Sequence, residues 1–169
     1  MFVDTYTSIH SILSLLALAL GLIVLLDFFG VRIPSPITGL FLLLAFLTSA
    51  TGFGFTFNGI LPSHIVGVLA LIAFAAAAYA RYVADFQGIW RSIYVIGIVA
   101  SDFFLVFVGV AQAFGKIPAL NALAPTQSEP PFAITQIVAL MIFVLIGIVG
   151  VRGYRRDIIA PLGRREAMR

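Results

Sequence analysis

Residues 36–55 read PITGLFLLLAFLTSATGFGF, and this stretch decides how many times the chain crosses a membrane. Its first half is apolar enough for a span. Its second half, Thr48-Ser49-Ala50-Thr51-Gly52-Phe53-Gly54, is polar and glycine-rich. Threonine and serine hydroxyls bond back to helix carbonyls, so such a segment can stay helical in lipid. Counted as a span, it makes five crossings. Left out, it makes four, with both termini on one side.

The basic residues choose five. Of ten Lys and Arg, nine fall on one side of a five-span topology: Arg32, Arg81, Arg91, Arg152, Arg155, Arg156, Arg164, Arg165 and Arg169. Lys116 alone falls on the other. Four spans would set Arg32 against Arg81, Arg91 and the tail. Positive charge near helix ends stays cytoplasmic. The expected fold is therefore an all-α membrane protein: a bundle of five transmembrane helices, N-terminus out and C-terminus in.

A crossing needs roughly 20 apolar residues. The expected spans are about 8–29, 36–55, 62–82, 89–114 and 132–151, within one transmembrane domain covering residues 1–169. Gly30 with Pro34 and Pro36 ends the first span, and Asn58-Gly59 marks a turn after the second. Pro62 suits the first turn of span three. Gly67, Ala70, Ala73 and the run Ala75 to Ala78 make that span small-faced, which predicts a central place in the bundle. Residues 115–131 are the longest connection and hold Pro118, Pro125, Pro130 and Pro131, so an ordered outer lid is expected. Residues 152–169 read as a solvated basic cytoplasmic tail. Met1 to Thr5 carry no basic residue, which favours a retained first helix over a cleaved signal.

The chain is 62% hydrophobic and 10% charged, with mean hydropathy +1.13. A soluble domain carries about 25% charged residues, so the lipid bilayer is the main partner and no second, soluble domain is expected. The net charge of +3 reads as a topology signal and an attraction to anionic lipid. No folded basic face accompanies the short tail, which speaks against nucleic-acid binding. The absence of cysteine removes disulfides, thiol catalysis, iron–sulfur clusters and covalent haem attachment.

Few residues offer chemistry. Asp102 lies near the middle of span four, where a carboxylate costs about 2.5–3.5 kcal/mol even on lenient insertion scales. No Lys or Arg lies at mid-depth in another span, so the neutral acid is the expected form. One reading makes it a protonatable site in a transport path. The other makes it packing glue, hydrogen-bonded to Thr48, Ser49 or Thr51 of span two. The second is favoured, because the cytoplasmic half offers almost no polar group to complete a path. His10 and His64 are the only histidines, both expected in the outer leaflet. Together they suit a b-type haem, and Glu129 from the lid would make a set fit for zinc or iron. The favoured alternative is two interfacial imidazoles bonded to carbonyls or headgroups. The sixteen phenylalanines allow a quinone groove as readily as a lipid-facing surface. Arg81, Tyr82, Trp90, Arg91 and Tyr94, with Tyr79, form an aromatic and basic belt of interfacial anchors.

Gly52-Phe53-Gly54 lacks the lysine and preceding strand of a phosphate loop. No Ser-His-Asp spacing, H-E-x-x-H or acidic metal cluster occurs in the sequence. Leu61-Pro62-Ser63-His64-Ile65-Val66-Gly67, Ala80-Arg81-Tyr82, Trp90-Arg91 and Ala124-Pro125-Thr126-Gln127-Ser128-Glu129-Pro130-Pro131-Phe132 resemble a group of small uncharacterised bacterial inner-membrane proteins. That resemblance implies a bacterial inner-membrane location and no mechanism. The expected role is a non-catalytic accessory or assembly subunit, with other membrane subunits or copies of itself as partners. A small proton-coupled transporter or channel using Asp102, and a haem or quinone redox protein using His10 and His64, are the alternatives.

A reporter active only in the cytoplasm should work when fused after Arg169 and fail when fused before Phe2. Activity at both ends would restore four spans.

Overall fold

The computed structural model describes residues 2–55 and 62–166, with side chains over 5–55 and 64–154. Six α-helices follow in order: α1 Phe2–Leu25, α2 Ser35–Gly52, α3 Pro62–Tyr82, α4 Trp90–Lys116, the short α5 Pro118–Leu123 and α6 Pro130–Glu166. Five of them are long and apolar enough to cross a membrane, spanning Thr5–Phe29, Ser35–Gly52, His64–Tyr82, Trp90–Lys116 and Pro130–Tyr154. Among the described residues every regular element is helical. The turn expected at Asn58-Gly59 lies outside the described residues.

The polar half of 36–55 is helical as far as Gly52. Thr51 Oγ1 donates to the Leu47 carbonyl at 2.6 Å, one turn back, so its hydroxyl needs no water. The helix stops before Phe55 because Phe53 and Gly54 fold back, their N–H groups bonding the Ala50 and Thr51 carbonyls. The first span tightens into a 3₁₀ turn, Leu26–Phe29, closed by Gly30 at φ 87°. Only glycine adopts that left-handed conformation without strain.

The centre of the bundle is α4, and this corrects the expectation for α3. α4 packs against α1, α2, α3, α5 and α6, whereas α3 packs mainly against α2 and α4. The small residues of α3 serve one close approach. A Cβ on Gly97 would sit 2.8 Å from the Ala73 carbonyl oxygen and 2.9 Å from Ala77 Cβ, so backbone meets backbone there. Lipid supplies no hydrophobic drive between helices, and such close packing is what holds them. α6 reaches α4 in a similar way. Gly147 faces Val99, and Gly150 lies against Val95 and Phe28. Gln136 adds a polar tie, donating to the Phe107 carbonyl of α4 at 3.0 Å.

The connection between α4 and α6 folds onto the end of α4. Asn121 donates to the Phe114 carbonyl at 3.2 Å and Gln127 to the Ala111 carbonyl at 2.9 Å. Ala124 is fully buried, and the Phe114 and Phe132 rings meet edge to face. At the other end, α6 continues through the basic stretch to Glu166, so the segment read as a tail is helical. Residues 167–169 lie outside the described residues.

Gly97→Ala should lower stability by about 1–3 kcal/mol, because a methyl group would push on backbone that cannot rotate away. Ala77→Leu should act in the same direction. Thermal unfolding in detergent checks both, and an unchanged melting temperature would disprove the backbone contact.

Candidate functional site

Three helices and a 3₁₀ turn converge at one end of the bundle. The 3₁₀ turn supplies Asp27, the first turn of α2 supplies Ser35 and Thr38, and the last turn of α3 supplies Arg81 and Tyr82. α6 supplies Tyr154. Between them lies a recess of about 460 Å³, which Ile33 and Phe86 complete.

Arg81 is the organising side chain. Its Nη2 donates to Ser35 Oγ at 2.6 Å and to the Ser35 carbonyl at 3.4 Å, and its Nη1 donates to Tyr94 Oη at 3.2 Å. The guanidinium also lies 5.6 Å from the Tyr82 ring centre and 5.9 Å from that of Tyr94. One residue thus ties α2, α3 and α4 together. Among the described residues it has no carboxylate partner. Asp27 lines the same recess, but its Oδ1 accepts instead from the Ile33 N–H at 3.3 Å.

An aromatic wall backs the recess. The Phe28, Phe86, Tyr94 and Tyr154 rings contact one another, with centres 4.9 to 6.5 Å apart. Phe86 joins them through an unusual backbone. Asp85 and Phe86 both have positive φ, 45° and 55°, followed by Gly88 at 55°. Two such residues in a row cost about 1–3 kcal/mol each and persist only where their surroundings hold them. Here the holding contacts are the Phe86 ring against Tyr94 and its N–H to the Ala80 carbonyl at 3.0 Å.

Asp102 lies elsewhere, in the interior where α1, α2 and α4 meet. It is 0% exposed, and a Cβ on Gly21 would collide with its carboxyl and lie 2.8 Å from the Phe41 ring. Among the described residues neither carboxyl oxygen has a hydrogen-bond partner. The Thr48 and Ser101 hydroxyl oxygens are buried without partners as well. Thr51 bonds the α2 backbone and His10 rather than Asp102. No hydrogen bond joins Asp102 to Thr48, Ser49 or Thr51, so the carboxyl holds its place by packing alone.

The histidines stand at the end opposite Arg81. His10 Nδ1 lies 2.9 Å from Thr51 Oγ1, and the ring meets Phe55 edge to face. Tyr6 donates its hydroxyl to the Thr51 carbonyl. His64 is stacked on Phe53, with ring centres 5.9 Å apart. Glu129 is in the connection before α6, where its carboxylate accepts from the Thr126 hydroxyl and from the Thr126 and Ser128 N–H groups at 2.9 to 3.2 Å. Desolvation raises its pKa, and these hydrogen bonds outweigh that effect and hold it below the ordinary glutamate range. Among the described residues no three His, Asp or Glu side chains group closely enough to hold a metal ion. His10, His64 and Glu129 are therefore not brought together as ligands.

The belt residues divide. Tyr79 and Tyr82 are exposed, and Tyr79 packs on Trp90 with ring centres 4.6 Å apart. Arg91 is partly buried, its Nε unpartnered. Tyr94 is 1% exposed and belongs to the aromatic wall. Sequence reasoning passed over Asp27, Ser35, Phe86 and Tyr154 as a group. A signal existed for one of them, since Asp27 falls at a span end on the same side as Arg81. Nothing in the sequence announces the left-handed pair that delivers Phe86.

The fold defines a helical bundle with five helices fit to cross a membrane. Comparison with known proteins finds no matching family model, curated protein or solved structure.

Proposed function

We propose that this chain is a multi-pass protein of the bacterial inner membrane, N-terminus out, serving as a non-catalytic accessory or assembly subunit. The observation that supports it is an apolar groove of about 270 Å³ on the outer face of α3 and α4. Ala73, Ala76, Gly97 and Ala100 line it between Ile72 and Ile96, both well exposed. Small residues in a groove open to the membrane let another helix approach closely, and that approach is the main source of association between membrane helices. The occupant in this reading is a transmembrane helix of a partner subunit or of a second copy.

Ala76 and Ala77 separate folding from assembly. Ala77 is buried against α4, whereas Ala76 faces the groove. Ala76→Leu should leave the chain folded, with its melting temperature unchanged, and should abolish a larger assembly extracted in mild detergent. A wild-type chain that runs alone, or an Ala76→Leu chain that still assembles, would overturn the proposal.

The unpartnered, fully buried carboxyl of Asp102 supports a second reading, a small proton-coupled transporter. Asp102→Asn keeps the size and cannot exchange a proton. In reconstituted vesicles the transporter reading expects pH-dependent ion flux from the wild type and none from the variant. Wild-type vesicles without such flux across a panel of ions would remove it.

A further inference from the structure

We propose that the recess at Arg81 binds a zwitterion carrying a phosphate and a primary ammonium, the chemistry of a phosphoethanolamine headgroup. This site lies apart from the groove on α3 and α4 and does not depend on the subunit reading.

Two opposite charges share the recess without meeting. Asp27 and Arg81 both line it, and neither has an oppositely charged partner among the described residues. Both side chains are only partly buried, and a ligand that covered them would have to compensate each charge it removed from water. A purely anionic ligand would face the Asp27 carboxylate. A purely cationic one would face the Arg81 guanidinium. A ligand with both charges compensates both.

The geometry assigns the ends. Three hydrogen bonds, to Ser35 and Tyr94, fix Arg81 in place and leave guanidinium N–H donors unused. A pre-positioned guanidinium suits a phosphate, which takes paired N–H bonds. The Tyr82 ring at the rim is 65% exposed and offers a hydroxyl beside Arg81. On the Asp27 side the ammonium meets a carboxylate with acceptor capacity left and the rings of Phe86 and Tyr154, a setting that attracts cations. The strained backbone at Asp85 and Phe86 is the device that holds Phe86 in this wall. The recess, about 460 Å³, is of the size that small-molecule sites have.

Two sources supply this chemistry: a bilayer phospholipid and a free phosphoethanolamine in water. The exposed Tyr79 and Tyr82 and the adjoining Trp90 put the recess at the depth where aromatic side chains meet headgroups.

The test uses the full-length chain in detergent, titrated with short-chain phosphatidylethanolamine, phosphatidylcholine, phosphatidylglycerol and free O-phosphoethanolamine. Melting temperature and direct binding are read together. The ethanolamine lipid should raise the melting temperature and bind about tenfold tighter than the glycerol lipid, as expected for one more charge-assisted hydrogen bond. The choline lipid should bind more weakly, because its methylated nitrogen has no N–H for Asp27. Asp27→Asn should remove the preference for ethanolamine over glycerol, weakening binding of the ethanolamine lipid and tightening that of the anionic glycerol lipid. Arg81→Lys should weaken both. Equal binding of the three lipids, or an Asp27→Asn chain that keeps the preference, would overturn the proposal. Free O-phosphoethanolamine binding as tightly as the lipid would assign the recess to a soluble zwitterion, and binding of the lipid alone would assign it to the bilayer.

Discussion

At Gly97 the backbones of α3 and α4 come into direct contact, and the rest of the bundle is built on that pair. In lipid, apolar side chains gain nothing by leaving the solvent, so dispersion and shape hold helices together. A glycine opposite Ala73 and Ala77 brings whole backbones within reach of each other. Once α3 is seated, the remaining faces of α4 are free for α1, α2 and α6. Gly150 repeats the device toward Val95 and Phe28. The buried residues Val95, Ile98 and Val99 are the product, a stretch of α4 covered from several sides.

Because α4 runs the length of the bundle, it sorts the polar groups by depth. Tyr94 near its start receives Arg81 and closes one end. Ser101 and Asp102 lie at its middle with no hydrogen-bonding neighbour. The Phe107 and Ala111 carbonyls near its far end take bonds from Gln136 and Gln127. The ends are thus laced by hydrogen bonds and the middle is held by packing.

The recess owes its shape to a strained connection. The chain between α3 and α4 turns through two consecutive left-handed residues that are not glycine, and the turn carries Phe86 into the ring cluster of Tyr94 and Tyr154. Arg81 is then braced from the other side by the first turn of α2. Rigid walls of this kind reduce the ordering cost of binding, since little has to move when a ligand arrives.

The sequence by itself determined how many helices are fit to cross a membrane, because crossing length and the Thr51 back-bond in 36–55 are local matters. The Thr51 hydroxyl finds the Leu47 and Thr48 carbonyls of its own helix. The order of residues near Gly30 and Pro34 likewise announced the first connection. Tertiary structure alone decided which helix lies at the centre, since small residues on α3 equally suit a central helix and one close contact. It alone decided that Thr51 turns to His10 and leaves Asp102 without a hydrogen bond. It alone set Asp27 across a recess from Arg81. Each of these depends on the rotation of one helix against another, and the apolar pattern of a membrane helix, apolar all round, carries little record of that rotation.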